Sequence, residues 1–493
     1  VSSVGGRVPI GAGHDQRMRS LSPPSADRLP DGFAVRLDPR TRRRDGGATL
    51  LGGSPLRLLR LAPAAHALLT GDRLVVGDAR TAGLAGRLLD AGLAHPDAPP
   101  SGAVEVSVVV PVRDRTAGLA RLLAALRADP GTAGCPVVVV DDGSAEPSAV
   151  AAVATEFGAG LVRHDTAGGP AAARNAGLRA VRTPVVAFLD SDCVPSAGWL
   201  PQLAGHLADP RLALVAPRIT GVPVDRPGWV SRYEAVASAL DMGPFPASVA
   251  PRRAVSYVPS AALVARRSAL GDGFDESMQV AEDVDLVWRL VAAGWRVRYE
   301  PAAEVAHEHR GEPGEWLARR AFYGTGAVLL AQRHGPAVAP IVVSPWSAVA
   351  WALALTGRPA AVGAAVGVLG VATARLARRL ARPGQPPPVG LSAAQVLRGT
   401  GASGRTLARA VTRHHWPLTL VAGLVSRRAR RLAAAVAVLD ALLGWWPHRR
   451  AVGPGAFTVG RRLEDLGYGA GLWWGALRAR DVRALLPAGP GKL

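Results

Sequence analysis

Short apolar runs recur through the middle of the chain: "VEVSVVVPV" from Val104, "CPVVVVDDGS" from Cys135, "GLVRHDT" from Gly160 and "PVVAFLDSD" from Pro184. They are rich in β-branched residues and do not alternate with polar ones, which predicts strands buried on both faces of a parallel sheet. Between them lie "AGLARLLAALRAD" and "GPAAARNAGLRAV", whose apolar positions have helical spacing. Strands alternating with helices predict an α/β doubly wound domain, set here at residues 103–334. Such sheets take ligands beyond the carboxyl ends of their strands.

The flanks have other patterns. Residues 1–28 are Gly/Ser/Pro-rich and aperiodic, which predicts disorder. Over 29–97, alternation in "FAVRL" and "ATLLG" flanks a turn at Asp45–Gly47, and two helical stretches follow. This predicts a small winged-helix-like domain, bounded by the proline-rich stretch near Pro96–Pro100. Residues 335–357 carry no charge, and "PAAVGAAVGVLGVATA" follows Arg358. An apolar helical hairpin over 335–382, spanning or re-entrant, is expected. An arginine-rich helical tail over 383–493 completes the chain, with "SRRARRLAAAVAVLDALLGWW" expected as an interfacial helix anchored by tryptophan.

Charge sharpens that division. From Ile341 onward, twenty arginines and Lys492 face only Asp440, Glu464, Asp465 and Asp481, a net of +17 out of the chain's +20. The basic surplus alternates with apolar runs, and no helix-turn-helix, RRM or OB pattern accompanies it. A membrane surface is therefore the expected partner, and nucleic acid is not. Two cysteines, Cys135 and Cys193, make no disulfide framework and show no zinc spacing, which suits a reducing compartment. Cys193 is expected to be a packing residue with a protonated thiol. The first twenty residues lack the apolar core of a signal peptide. The expected location is cytoplasmic, at the inner face of the membrane.

Candidate chemistry gathers at the strand ends. One strand ends at Asp141 and Asp142, another at Asp190 with Asp192 two residues on. Carboxylates converging on one sheet edge repel unless compensated, and Mg²⁺ or Mn²⁺, which prefer oxygen ligands and bridge phosphates, are natural counter-charges. Asp-x-Asp alone is weak: Asp283 and Asp285 form a second one at a helix start, where dipole complementation explains acids. Position separates them, since only the first follows a buried strand. In "GGPAAARNAG" the glycines allow close backbone approach, and Arg174 on the following helix can face a diphosphate. Downstream, Glu282 and Asp283 open a helix, and "AEVAHEHR" offers His307 and His309.

The succession "VSVVVPVRDR", "VVVVDDGS", "GGPAAARNAG", "FLDSDCVP", "VAEDVDLVWRL" and "VAHEHR", in this order from Val106 to Arg310, resembles the family 2 glycosyltransferases. The resemblance implies a mixed sheet of the GT-A type and a nucleotide-sugar donor. It implies that Pro111, Asp141, Asp142, Arg174, Asn175 and Asp190 line that donor. By the same resemblance Asp190 and Asp192 hold the metal with His307, His309 being the competing ligand. Asp283 of the Glu282–Asp283 pair is then the general base of an inverting transfer. Joined to "LPDGFAVRLDPRTRRRDGGATLLGGSPLRLLRL" and to "RRAFYGTGAVLLAQRHGPAVAP", the chain is most similar to the mycofactocin-system group of that family. That implies glucose moved from UDP-glucose, in β linkage, onto a peptide-derived redox cofactor or its precursor. The N-terminal domain, similar to small peptide-recognition domains, then has the acceptor to recognise.

Two further readings stand beside it. A transferase building cell-envelope polysaccharide or glycolipid uses the same chemistry and suits a membrane-leaning C-terminus. A sugar nucleotidyltransferase also employs strand-end aspartates and a metal, but calls for a glycine-rich basic loop after the first strand. Here "VVVPVRDR" has no glycine.

Overall fold

The computed structural model describes Pro23 and residues 28–97, 104–309, 311–381 and 386–489. The expected disorder over 1–28 falls outside these residues, Pro23 and Arg28 excepted. The chain divides into two compact units, residues 1–225 with 237–309, and residues 226–236 with 310–493.

The first unit opens with strands β1 (Ala34–Leu37), β2 (Arg42–Arg44), β3 (Thr49–Gly52), β4 (Arg57–Arg60), β5 (Arg73–Val75) and β6 (Ala94–Pro96). They pair antiparallel in two sheets, ordered β5-β1-β6 and β2-β3-β4. The turn at Asp45–Gly47 thus joins β3 to an all-arginine strand, whereas "FAVRL" pairs elsewhere. Every side chain of β2 is exposed, so this edge strand has no apolar alternation by which a sequence could reveal it. Helix Ala79–Asp90 is held at its start by a capping box between Asp78 and Thr81. It buries Leu84, Leu88 and Leu89 against Phe33, Val35 and Leu50.

Nine strands follow: β7 (Val106–Val112), β8 (Val137–Asp142), β9 (Gly160–His164), β10 (Val185–Leu189), β11 (Cys193–Pro195), β12 (Leu212–Gly221), β13 (Ala247–Ser248), β14 (Ala262–Arg266) and β15 (Arg296–His307). They form one mixed sheet in the order β11-β15-β12-β14-β10-β7-β8-β9, with β13 against β15. β10, β7, β8 and β9 run parallel. β14 lies antiparallel to both β10 and β12. After β9 the chain returns to the far side of β7, so the sheet changes winding direction between β7 and β10. A crevice opens at the carboxyl ends there.

Both faces of β7 are covered, as its unbroken valines require. Val108, Val110 and Val112 pack in a cluster with Leu119, Leu122, Leu123 and Leu126 of helix Thr116–Ala128. Each such fully buried leucine contributes about 1.5–3 kcal/mol. On the other face, Gly177 of helix Pro170–Ala180 lies so close that a Cβ there would overlap Cγ1 of Val109. Gly177→Ala is therefore expected to destabilise the first unit by about 1–3 kcal/mol through overpacking. The helix-propensity gain of about 1 kcal/mol offsets only part of that. Urea denaturation checks it: an unchanged or higher midpoint would contradict the close contact.

The N-terminal region also touches the sheet. Arg296 donates to Asp90 through Nε at 2.7 Å and to both oxygens of Asp209 through Nη1 at 3.1 Å. The Ala254 amide donates to Ser54 Oγ at 2.7 Å.

The second unit is helical: Pro313–His334, Pro345–Ala354, Pro359–Leu380, Val389–Arg409, Trp416–Val425, Arg427–Trp445 and Pro454–Ala479. Several begin with proline in the first turn, where its missing N–H costs nothing. Where the apolar hairpin was expected lie a ten-residue helix from Pro345 and a 22-residue helix from Pro359. Among the described residues, only Pro359–Leu380 is long and apolar enough to cross a membrane. Part of the arginine surplus is internal: buried Glu464 and Asp465 face Arg413, Arg461 and Arg462, with Tyr233 and Thr412 donating hydroxyl hydrogen bonds.

Candidate active site

The parallel register of β8 and β9 sets Asp141 opposite Arg163 and Asp142 opposite His164. Buried Asp141 accepts from the Ser144 amide at 2.9 Å and pairs with Arg163. Asp142 lies 2.9 Å from His164 Nδ1 and accepts from the Gly168 and Gly169 amides, both at 2.8 Å. The glycine loop is thereby tied to the end of β8, and helix Pro170–Ala180 starts from a fixed point.

At the end of β10, Asp190 is anchored through its own amide, which donates to Ala261 O at 2.9 Å. Asp192 lies just before β11, which pairs with β15 in a register that sets Cys193 opposite His307. One oxygen of Asp192 accepts from Arg115 Nη1 at 2.8 Å. The other, Oδ1, is buried and accepts no hydrogen bond, although His307 Nε2 stands 3.3 Å away. Ligand atoms from Asp190, Asp192 and His307 all lie within 4.8 Å of one another. Two carboxylate oxygens and an imidazole nitrogen, one oxygen lacking any donor, make a set that suits Mg²⁺ or Mn²⁺. His309 stands outside this group, its ring 6.1 Å from that of His307.

Arg174 links Asp190 to the helix that starts at Glu282. It is buried, and donates to Asp190 Oδ1 at 2.6 Å and to Glu282 Oε1 at 3.0 Å. Burial works against its charge, but Asp190 and Glu282 more than restore it and hold the guanidinium protonated. Glu282 is thus compensated, and its neighbour less so. Asp283 accepts the amides of Ser260 at 3.1 Å and Val284 at 2.7 Å, and the charge of Arg174 only partly offsets its burial. Burial, and then the adjacent Glu282 carboxylate, push the Asp283 carboxyl well above the ordinary range. Two neighbouring acids with environments this different are the pattern of a divided acid–base assignment. Ala281, just before them, sits at φ 63°, a left-handed conformation that a non-glycine residue adopts only under constraint.

The remaining candidates fall as follows. Pro111 is half-buried in β7. Asn175 is buried, and its amide is committed to Phe274, accepting from the backbone N–H at 2.9 Å and donating to the carbonyl at 2.8 Å. Asp285 pairs with Arg289 at 2.7 Å, one turn along the helix. The Cys193 thiol is fully buried, donates weakly to Ala261 O at 3.4 Å, and is held protonated by burial. Sequence reasoning passed over Arg115, Arg163 and His164. The last two end β9 within the run "GLVRHDT", and aligning the ends of successive parallel strands would have set them beside Asp141 and Asp142. Arg115 lies in the quoted run "VVVPVRDR", where only the lack of glycine was weighed.

With this geometry in view, the likeness to known proteins has structural meaning. Residues 107–274 match the sequence model of glycosyl transferase family 2, a stretch that ends before Glu282, Asp283 and His307. Pre-mycofactocin glycosyltransferase from Mycobacterium tuberculosis, in strains CDC 1551 and ATCC 25618 / H37Rv, is 48% identical over 475 residues, 94% of this chain and 99% of its own length. The succinoglycan biosynthesis protein ExoU of Rhizobium meliloti (strain 1021) is 30% identical over 206 residues, 39% of this chain and 59% of its own. Among solved structures, the mannosyltransferase PcManGT from Pyrobaculum calidifontis in complex with GDP-Man and Mn²⁺ is similar at 18% identity and a TM-score of 0.41, over 75% of this chain and 89% of its own.

Proposed function

Because this chain belongs to the family 2 glycosyltransferases, the family it shares with the pre-mycofactocin glycosyltransferases, we propose that it transfers glucose from UDP-glucose onto mycofactocin or its peptide-derived precursor, in β linkage. The observation that carries this reading is the extent of the 48% identity, which runs over 94% of the chain and so includes both flanks as well as the catalytic sheet. Flanks serving unrelated acceptors have no reason to stay alike over that length.

We read the sheet as GT-A type, with Asp141 and Asp142 at the nucleoside end of the donor and Pro111 and Asn175 shaping the crevice. Asp190, Asp192 and His307 would hold Mg²⁺ or Mn²⁺, which supplies Lewis-acid stabilisation of the charge developing on the leaving diphosphate. Arg174 keeps Asp190 turned toward that position and adds positive charge behind it. Asp283 takes the proton from the attacking acceptor hydroxyl. A single base acting opposite the leaving group gives one displacement with inversion. The peptide-derived acceptor is assigned to the N-terminal region, read as the winged-helix-like domain over 29–97. We read the arginine-rich helices as favouring a place at the inner face of the membrane.

Mass spectrometry of cofactor extracts from cells with and without the gene tests the acceptor. Hexose-bearing mycofactocin species are expected to disappear with the gene. If their glycosylation is unchanged, the specific acceptor is wrong. A lipid-linked sugar that vanishes instead would favour the cell-envelope reading, with which the exposed apolar helices are also compatible.

A further inference from the structure

Helices Trp416–Val425 and Arg427–Trp445 pack against each other as a hairpin joined at Ser426, whose hydroxyl accepts from the Ala429 amide at 3.2 Å. Residues that would ordinarily face inward face water here. Leu420, Val421, Leu424 and Val425 stand one turn apart in pairs, and the last two are 74% and 84% exposed. On the second helix Val438, Leu439, Leu442 and Leu443 are also exposed, as is Trp446 just beyond it. An isolated exposed leucine is ordinary, but this many exposed large apolar residues on two paired helices mark an interaction surface.

Charge identifies what covers it. Arg427, Arg428, Arg430 and Arg431 follow directly on the apolar tip, and all four are exposed. Among the described residues no carboxylate pairs with any of them. Asp440, the one acid of these two helices, is already taken by Arg461 and Arg462. A second copy of the chain would bring the same unpaired arginines together, so self-association is electrostatically opposed. A ten-residue helix is about 15 Å long, half the roughly 30 Å hydrocarbon core, so the first helix is too short to cross it. Apolar stripe, adjacent arginines and short length together describe an element that lies in a bilayer interface.

We propose that the 416–446 hairpin is an interfacial anchor for anionic lipid, sinking Leu420, Leu424 and Val425 below the headgroups while Arg427 and Arg431 meet lipid phosphates. Arg428 and Arg430 have a second task, donating to the carbonyls of Leu355 and Gly423 at 2.8 and 2.9 Å. They are left in place in the test for that reason. The anchor is independent of which acceptor the catalytic unit uses.

The test is sedimentation of the purified full chain with vesicles of phosphatidylcholine alone or mixed with phosphatidylglycerol. Wild type is expected to bind the mixed vesicles at least about tenfold more tightly, with the preference weakening in high salt. Leu424→Glu with Val425→Glu should lose binding to both vesicle types. Arg427→Gln with Arg431→Gln should keep the residual binding and lose most of the phosphatidylglycerol preference. Donor turnover without vesicles should be unchanged in both variants, which shows that they fold. Equal binding of wild type to both vesicles, or undiminished binding of the variants, overturns the proposal. So does a wild-type dimer in light scattering that Leu424→Glu with Val425→Glu separates while vesicles are not bound.

Discussion

Asp192→Ala is expected to abolish sugar transfer, lowering kcat/KM by on the order of 10³-fold or more. The physical reason is specific to this carboxylate. Its Oδ1 is buried and accepts no hydrogen bond, with His307 Nε2 3.3 Å away, so a cation held between them would offset the cost of that desolvated oxygen. Removing it would take away one of the three proposed metal ligands and leave Arg115 without its partner. Steady-state assays at saturating Mn²⁺ check the loss, and Mn²⁺ titration with UDP present should show binding weakened in parallel. Turnover close to wild type, or metal binding unaltered, would remove Asp192 from the site. Asp285→Ala, at the other Asp-x-Asp, is the matched control, since its carboxylate pairs with Arg289 one turn along the helix and lies outside the Asp190, Asp192 and His307 group.

The second large effect separates Asp283 from Glu282. Asp283→Asn should lower kcat by about 10²–10⁴-fold, the range for loss of a positioned general base, with little change in donor affinity. Its pH dependence follows from the buried carboxyl, whose ionisation burial and Glu282 push up to about 7. Only the ionised form accepts a proton, so wild-type rate falls about tenfold per unit as pH drops below that value. Stability runs the other way. The folded chain holds this proton more tightly than the unfolded chain, so the contribution is complete at low pH and is lost as pH rises through about 7. Asp283→Asn is therefore expected to be inactive yet more resistant to denaturant than wild type above neutral pH. A variant equally inactive but less stable there would mark Asp283 as a structural residue.

The strands of the sheet were legible because "VVVV" and "VVAFL" need cover on both faces, and a mixed sheet flanked by helices supplies it. The acidic ends of β8 and β10 were legible for the same reason, since a charged pair directly after a buried strand has only a sheet edge to occupy. Three things were not. β2 is an exposed arginine triplet, and an edge strand with no inward side chain carries no pattern. Arg163 and His164 acquire their partners through register, which depends on how β9 slides along β8. The Arg174 bridge joins residues 108 positions apart to fix which of two adjacent acids is compensated, and no local spacing encodes that. Within the uncharged run 335–357, Pro336 lies in a single helical turn and Pro345 opens the short helix that follows.

The most direct measurement of the whole account is intact-mass analysis of a peptide-derived mycofactocin precursor incubated with the purified chain and UDP-glucose, with divalent cation removed and then restored. The account predicts a gain of one or more hexose masses only when Mg²⁺ or Mn²⁺ is present. A gain undiminished by chelation, or donor consumed with metal present while the precursor gains nothing, would contradict it.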